Sequence, residues 1–382
     1  MDSDNKKLRI LFFTPWYPTT DDPVGGVFVH ELCRSVAGKA DVKVAVISFD
    51  DSLRMSQILL TNEFYDGVEV LRVRQGRGSI PKLRFIGRLF SQVWLLKKLI
   101  AEFKPDLVHA TTYHATIPAV LAAKDSFLPV IATEHYSGFY RGKVRGLEKL
   151  KARWGLRRAD RLIAISHYMK SLLKLHGIKA NYETLPIGID TALFRPADRV
   201  RDANAVYHGI MVATLTPIKG YPVLLEALAL LRTHHLLIHI HIVGSGEERS
   251  MLEQKVSTLG IADMVTFHGV LGKVDLAKLM QQSDFALTSS LGETFGVAVA
   301  EGLACGLPTV ATKVGALPEL IDESCGLLVK AGDPASLAAG IIALTDNLAS
   351  YDRSAIGALI AAKLSHEAVS DRFIQICKEL TR

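Results

Sequence analysis

Short apolar runs alternate with longer periodic segments along this chain, and no other feature of the sequence limits its fold as much. In the first half, strands are predicted at residues 8–14, 42–49, 68–74, 107–110, 130–133 and 161–165, the last of them closing this half. Helices are predicted at residues 27–38, 80–103, 144–158 and 167–175, with Ser166 as the N-cap of the last one. Strands that alternate with helices form parallel sheets, so the predicted fold class is α/β with a doubly wound sheet.

The alternation is interrupted at residues 185–196, where the sequence LPIGIDTALFRP contains two prolines and a glycine. It resumes with strands predicted at residues 209–214, 237–243, 265–268, 285–288, 309–312 and 326–329. The helices of this half are predicted at residues 223–231, 247–259, 274–281, 297–304 and from 334 onward. Because 382 residues are too many for one ordinary core, we expect two domains with a boundary between residues 185 and 186.

The stretch between residues 285 and 308 says most about function. A predicted strand and a small polar loop lead to a predicted helix, whose N-terminus comprises Thr294, Phe295, Gly296 and Val297. The free N–H groups and positive dipole end of such a helix hold anions, above all phosphates. Glu293 and Glu301 bracket this N-terminus and lie roughly 12 Å apart along the helix axis. A nucleotide sugar, with a diphosphate between two groups of hydroxyls, has a comparable span.

Spacing alone leaves a structural alternative open, in which Glu293 is a neighbour of the helix N-cap and Glu301 is a solvated residue. Three other loops carry candidates: Gly26 of a glycine pair, His135 after a buried strand, and Lys219 in the sequence TLTPIKG. Paired glycines let a ligand approach the backbone, an imidazole donates to a hydroxyl, and a lysine neutralises a diphosphate. A plain turn and a structural histidine are the alternatives for Gly26 and His135.

The order of the motifs adds information that no single motif gives. GGVFVH (25–30), TEH (133–135), PIGID (186–190), TLTPIKG (214–220), VGSG (243–246), HGV (268–270), the E-x7-E pair and VGALPELI (314–321) follow one another along the chain. In this order they resemble the retaining glycosyltransferases of family 4, over nearly the whole chain. The resemblance implies the GT-B architecture, with two Rossmann-like doubly wound domains facing across a cleft. It assigns residues 1–185, with a returning helix at about 365–382, to acceptor binding and residues 186–364 to nucleotide-sugar binding.

The resemblance also implies roles for single residues. The catalytic residues are expected to be His135, Glu293 and Lys219, with Glu293 on the sugar hydroxyls and His135 positioning the sugar or the acceptor. Glu301 is expected to hold the ribose, and the backbone at residues 269–270 the nucleobase. The full set of expected donor contacts is Gly26, Thr214, Lys219, Gly269, Val270, Glu293, Thr294, Phe295, Gly296, Val297 and Glu301. His109 and His114 are secondary candidates, and packing is the alternative for His109.

One position departs from the family pattern. The family commonly carries an arginine together with this lysine, whereas this chain has Ala213, Thr214 and Leu215 at the corresponding place. Either Thr214 contributes only a hydroxyl or another basic residue reaches the diphosphate. We therefore retain Lys219 as the phosphate ligand and assign no arginine.

Several other kinds of chemistry are disfavoured. The chain has no P-loop and no G-x-S-x-G motif, and its D-x-D at residues 2–4 lies in a polar tail rather than at a strand end. We expect no metal ion and assign no other cofactor. His239 and His241 alternate along a predicted strand without a third ligand, so we expect them to be packed.

The net charge of +6 favours an anionic ligand, an anionic membrane surface or a nucleic acid. The four cysteines show no paired spacing and no signal peptide is visible, which predicts a cytoplasmic protein. Two basic stretches, residues 80–98 and 141–161, carry interleaved aromatic and leucine residues. They are either helices with a solvated basic face or a peripheral contact with an anionic membrane. Nucleic acid binding is not expected, because no recognised module accompanies the charge.

The predicted function is that of a retaining hexosyltransferase. It would transfer a sugar from a UDP- or GDP-hexose to a hydroxyl of a glycan or lipid-linked acceptor, in cell-surface polysaccharide or glycolipid synthesis. Two alternatives remain at this point. One is a nucleotide-sugar epimerase of the same architecture, and the other is a non-catalytic subunit that keeps the fold.

Overall fold

The computed structural model describes residues 7–19, 22, 25–50, 52–53, 57–76, 81–197 and 205–381, with the backbone alone for residues 81–86. The chain divides into two compact units. The first comprises Met1–Gly188 and His366–Arg382, and the second comprises Ile189–Ser365. The boundary expected from the sequence lies 3 residues before the division at Gly188.

Strands and helices alternate along both units. Before the division the elements are β1 (Arg9–Thr14), α1 (Val27–Ala37), β2 (Asp41–Asp50), β3 (Ile58–Tyr65), β4 (Val68–Gly76), α2 (Pro81–Phe103), β5 (Leu107–Thr111), α3 (Thr112–Ala123), β6 (Val130–Glu134), α4 (Gly146–Leu156), β7 (Arg161–Ala164), α5 (His167–Leu175) and β8 (Tyr182–Thr184). The second unit contains β9 (Tyr207–Val212), α6 (Tyr221–Thr233), β10 (Ile238–Val243), α7 (Arg249–Thr258), β11 (Val265–Gly269), α8 (Lys273–Gln282), β12 (Phe285–Thr288), α9 (Val297–Ala304), β13 (Thr309–Thr312), α10 (Leu317–Leu320), β14 (Gly326–Val329), α11 (Pro334–Asp346) and α12 (Arg353–Leu364). The chain then returns to the first unit as α13 (His366–Leu380).

The sheet of the first unit has the strand order β3-β4-β2-β1-β5-β6-β7-β8. Its strands pair in parallel, except that β3 is antiparallel to β4. Ile10 and Phe12 of β1 belong to a core cluster with α1 and α13, whereas Leu11 and Phe13 belong to one with α2 and α3. Both faces of this sheet are therefore buried, which is the environment that continuous apolar runs predict.

Helix α13 packs on the first sheet through its apolar face. Phe373 is fully buried, with its ring centroid 5.8 Å from that of Phe12 and 5.0 Å from that of His109. Lys39, just after α1, donates to the Ser370 hydroxyl at 2.9 Å. The helix thus covers β1 and β5, whose loops carry candidate residues of this unit.

The sheet of the second unit has the strand order β11-β10-β9-β12-β13-β14, and all of its pairs are parallel. Ile240 and Phe285 lie in a core cluster with α6, α7 and α11. Helix α9 packs on β12 and β13. Two parallel sheets in one chain confirm the predicted α/β class.

Three elements differ from the sequence prediction. The strand at residues 161–165 is not the last one of the first unit, because β8 pairs with β7 beyond it. The three residues of β8 are half-buried and form no apolar run. Strand β3 is largely exposed and α3 is buried nearly all round, so neither shows the hydrophobic period that identifies its type.

Two local predictions are confirmed. Ser166 caps α5, because its hydroxyl accepts the N–H of Met169 at 3.0 Å. Helix α9 has the predicted bounds, Val297–Ala304. Within the described part of the chain, no helix combines the length and the apolar character needed to span a membrane.

Candidate active site

The candidate donor residues of the second unit lie in loops that follow adjacent strands. In the sheet, β9 lies between β10 and β12, where the strand order reverses. Thr214 and Lys219 follow β9, Val270 follows β11, and Glu293 follows β12. Because the strands are parallel, their carboxyl ends share one edge, and this reversal point is where such sheets bind ligands.

Lys219 and Glu293 form an ion pair at this edge. The Nζ atom of Lys219 lies 2.5 Å from Oε2 of Glu293, and both side chains are mostly buried. Their loops are joined by two further bonds, from the N–H of Leu291 to the carbonyl of Ile218 at 2.8 Å and from the Ser289 hydroxyl to the carbonyl of Lys219 at 3.0 Å. A cation and a carboxylate are therefore held at a defined place, next to the start of α9.

The N-terminus of α9 adds backbone N–H donors to this place. Gly296 is the N-cap, and the first amides of a helix have no partner within it. The side chain of Phe295 is buried, so this residue has only its backbone to offer a ligand. The carbonyl of Glu293 accepts the N–H of Ala316 at 3.1 Å, which ties the loop after β12 to the one after β13.

Glu301 is half-buried on α9 rather than fully solvated. Burial raises its pKa to about 7, although the charge of Lys273 opposes this shift and that of Asp190 adds to it. Burial lowers the pKa of Lys273, and Glu301 counteracts that effect. Lys273 therefore lies close enough to interact electrostatically with Glu301, the residue expected to bind the ribose. No sequence motif marks Lys273, although it begins α8 shortly after the HGV loop.

The remaining donor candidates show how the neighbouring loops are arranged. Thr214 is exposed, and its hydroxyl lies 3.4 Å from that of Thr216, so it brings no charge to the site. The carbonyl of Gly269 accepts the N–H of Gly244 at 2.7 Å, which joins the HGV and VGSG loops. Val270 is exposed beside them. An apolar side chain at a sheet edge suits the face of a nucleobase.

Gly26 is positioned by the loop that follows β1. It adopts a left-handed conformation, with φ +73°, as the N-cap of α1. A Cβ atom at this position would lie 2.6 Å from the backbone of Trp16. Only glycine fits here without displacing that loop, which is consistent both with a turn and with a ligand contact.

His135 lies close to this loop, directly after β6. Its ring centroid is 4.6 Å from that of Phe28 and 5.7 Å from that of Trp16. Its Nε2 atom is buried and has no hydrogen-bond partner among the described residues. Burial lowers the pKa of His135 to about 3, so the imidazole is neutral near pH 7. Its Nε2 atom can donate or accept one hydrogen bond with a neutral ligand.

The other histidines of the first unit differ in their surroundings. His109 packs between Phe12 and Phe373, and its Nε2 lies 2.7 Å from the Thr133 hydroxyl. His109 and His135 line one small cavity, of about 40 Å³. The side chain of His114 is 48% exposed and lies against Tyr113. His109 is thus a core residue, whereas His114 is accessible to a ligand.

His239 and His241 belong to a group of four histidines on one face of β9, β10 and β11. His241 lies 3.1 Å from the ring nitrogen of His208 and 3.0 Å from that of His268. His239 bonds to the Asp263 carbonyl and the Thr266 hydroxyl. Among the described residues, no group of three or more His, Cys, Asp or Glu side chains could hold a metal ion. The rings are packed against one another.

Comparison with known proteins identifies the class to which this fold and these loops belong. The model of the family described as glycosyl transferases group 1 matches residues 206–347, and that of glycosyltransferase family 4 matches residues 25–193. The two models cover most of both units. The chain belongs to these glycosyltransferases and is a glycosyltransferase of the GT-B type.

Among its relatives, a D-inositol 3-phosphate glycosyltransferase of Thermomonospora curvata is 28% identical, over 94% of this chain and 91% of the relative. A glycogen synthase of Mycobacterium tuberculosis is 27% identical, over 91% of this chain and 88% of the relative. The sucrose-phosphate synthase structure from Thermosynechococcus elongatus is similar with a TM-score of 0.76 and 20% identity, covering 97% of this chain and 99% of that one. The structure of Anabaena Alr3699/HepE in complex with UDP-glucose is similar with a TM-score of 0.73 and 19% identity. The match covers 97% of this chain and 100% of that one. These structural neighbours confirm the GT-B fold.

The raised pKa of Glu301 predicts a pH dependence of donor binding. A carboxylate accepts bonds from both ribose hydroxyls, so affinity should be full above the pKa of about 7 and should fall as the pH drops through it. We expect the dissociation constant of UDP-glucose, measured by calorimetry, to be about tenfold higher at pH 6 than at pH 8. The diphosphate diester of this ligand does not itself titrate in that range.

The matched control is Glu301→Gln, which keeps the shape of the side chain and removes the titration. The affinity of this variant for UDP-glucose should be lower than that of the wild type at pH 8 and nearly equal to it at pH 6. A wild-type profile that is flat between these values, or a Glu301→Gln profile that keeps the full slope, contradicts this role of Glu301.

Proposed function

We propose that this protein is a retaining glycosyltransferase that moves a hexose from a nucleotide diphosphate sugar to a hydroxyl of a glycan or lipid-linked acceptor. The observation that supports this most is the ion pair of Lys219 and Glu293 beside the N-terminus of α9. It places an ammonium group, which can bind a diphosphate, beside a carboxylate that can accept hydrogen bonds from sugar hydroxyls. The second unit would bind the donor, and the first would bind the acceptor.

In this proposal the main task of the second unit is to stabilise the departing diphosphate. The ammonium of Lys219 and the amides at residues 294–297 are preorganised donors where negative charge develops. Donor binding would place the diphosphate oxygens among these groups, and Glu293 would then hold the sugar hydroxyls. Glu301 would accept the ribose hydroxyls, and the charge of nearby Lys273 would favour its ionised form against the effect of burial.

Retention, the hexose and the donor base are inferred more indirectly. The family resemblance implies retention by attack on the face from which the diphosphate leaves. Alr3699/HepE is described in complex with UDP-glucose, so a UDP-hexose is the first donor to test. The neutral His135 of the first unit would position the sugar or the acceptor hydroxyl.

Two variants test the proposed site. Lys219→Ala removes the cation that would stabilise the leaving diphosphate. Glu293→Ala removes the carboxylate that would accept hydrogen bonds from the sugar hydroxyls. We expect each to lower kcat for donor turnover by about 10²-fold or more. UDP-, GDP- and ADP-hexoses are first ranked by thermal stabilisation, since ligand at a hundred times its dissociation constant adds about 2.7 kcal/mol. Turnover is then measured with the preferred donor by nucleotide release, with and without a panel of glycoside acceptors.

Lys278→Ala and Glu253→Ala are the matched controls, because both residues are exposed on helices of the same unit. They should keep wild-type turnover. Activity that survives both site variants refutes the assignment. Product analysis by NMR separates the alternatives: an epimerised sugar indicates the epimerase, and nucleotide binding without turnover indicates a non-catalytic subunit.

We further propose that the first unit contacts an anionic membrane through α2 and α4, which both pack on α3. Phe90 and Trp94 on α2 are 78% and 56% exposed, and Leu147 and Leu150 on α4 are 66% and 59% exposed. These apolar residues lie at helical spacing among basic ones, Arg157 and Arg158 among them. This combination inserts into the headgroup region of anionic bilayers.

Sedimentation with phospholipid vesicles tests this contact. Wild-type protein should bind vesicles that contain 30% phosphatidylserine and should be released by salt, because the basic charges are screened. A Leu147→Glu, Leu150→Glu double variant should bind at least tenfold more weakly, since burying a leucine contributes about 1.5–3 kcal/mol. Leu175→Glu, at an exposed leucine of α5, is the control and should bind like the wild type. Equal binding by all three proteins excludes this membrane contact.

A further inference from the structure

Aromatic rings follow three neighbouring strands of the first unit. Strands β1, β5 and β6 are adjacent in the sheet, and Trp16, His114 and Tyr136 follow their carboxyl ends. The ring centroid of Tyr136 lies 6.1 Å from that of Trp16 and 5.8 Å from that of His114. We call these three residues the aromatic platform. They lie at the edge of the sheet where parallel strands end and ligands commonly bind. A cluster of rings at this edge is not required to build the hydrophobic core.

A buried carboxylate holds the backbone that carries this platform. Glu134 lies at the end of β6 and is fully buried. One of its carboxylate oxygens accepts the N–H groups of His135 at 3.0 Å and Tyr136 at 2.8 Å. The other oxygen accepts the N–H of Tyr113 at 2.9 Å, at the start of α3. Burying a charge is costly, and these three donors compensate for it by fixing two of the three ring-bearing segments.

The position of the Tyr136 ring depends on the glycine two residues beyond it. A Cβ atom at Gly138 would lie 2.1 Å from Cε1 of Tyr136. Any other residue would push the ring away from its place. Glu134 thus holds the backbone of Tyr136, and Gly138 leaves room for its ring beside Trp16. A surface on a held backbone binds a ligand with less loss of entropy.

The platform is accessible and carries no net charge. Trp16 is 39% exposed, and the side chain of His114 is 48% exposed. Burial lowers the pKa of His114, so its ring is neutral near pH 7. Lys151, whose charge acts on His114, is paired with Glu148 at 2.8 Å. No cation–π contact involves Trp16, His114 or Tyr136 within the described residues.

We infer that Trp16, His114 and Tyr136 bind the acceptor by stacking on the apolar face of a sugar ring, and that this terminal sugar is unphosphorylated. The inference rests on the proposed function and names the acceptor class for it. The C–H groups of a pyranose make one face apolar, and large aromatic rings bury such a face favourably. A phosphorylated sugar requires Arg or Lys within hydrogen-bond reach, and the platform offers neutral groups.

Saturation-transfer NMR tests this binding without any donor. The probes are methyl glycosides of glucose, galactose, mannose and N-acetylglucosamine, together with glucose 6-phosphate. We expect at least one glycoside to bind the wild type through its ring protons and glucose 6-phosphate to bind far more weakly. Trp16→Ala and Tyr136→Ala should each raise the dissociation constant about tenfold. Trp16→Phe and Tyr136→Phe keep a ring and should stay within about threefold of the wild type.

Two measurements keep the outcome decisive. Phe127→Ala, at an exposed aromatic residue after α3, is the control and should bind like the wild type. UDP-glucose affinity, measured on the same variants, should change less than twofold, so that a failure of donor binding is distinguished from a failure of the platform. No glycoside binding, equal binding by the alanine variants, or stronger binding of glucose 6-phosphate overturns the inference. Thermal melting of each variant identifies loss of fold, and in that case the phenylalanine variants decide.

Discussion

The ion pair between Lys219 and Glu293 is the contact on which the candidate donor site depends. It joins the loop after β9 to the loop after β12, at the place where the strand order of the second sheet reverses. Neither charge stands alone in this mostly buried place, since an unpaired lysine or glutamate there would be destabilising. In the proposed function, the same pair would offer complementary partners to a diphosphate and a sugar. Recognition of the donor would then depend on the two side chains that also join the loops.

The two units offer ligands different chemistry. The second unit provides charge: Lys219, Lys273, two glutamates and the N-terminus of α9. The first unit provides neutral histidine and aromatic rings, supported by the buried Glu134. Charge suits a diphosphate, and neutral rings suit an uncharged sugar. This division agrees with donor binding by one unit and acceptor binding by the other, as we propose.

The sequence predicts the elements whose signal is local. Strands β12, β13 and β14 and helix α9 have the predicted bounds because each is a short, mostly apolar segment bounded by polar residues, glycine or proline. Strand β8 escapes prediction, since it is defined by pairing with β7 rather than by its own residues. Of the candidate site, the sequence indicates Lys219, Glu293 and Glu301 but neither their partners nor Lys273. Lys219 and Glu293 are 74 residues apart, and only the adjacency of β9 and β12 brings them together. The part played by Glu134 is invisible for the same reason, because it depends on the N–H of Tyr113 from another strand end.

A crystal structure of the protein with intact UDP-glucose, or with whichever nucleotide sugar stabilises it most, tests the central claim most directly. We predict that the diphosphate oxygens lie about 3 Å from Nζ of Lys219 and from the amides at residues 294–297. The carboxylate of Glu293 should then accept sugar hydroxyls, and that of Glu301 the ribose hydroxyls. A nucleotide whose diphosphate lies away from the N-terminus of α9, with the pair of Lys219 and Glu293 untouched by the ligand, would contradict the account.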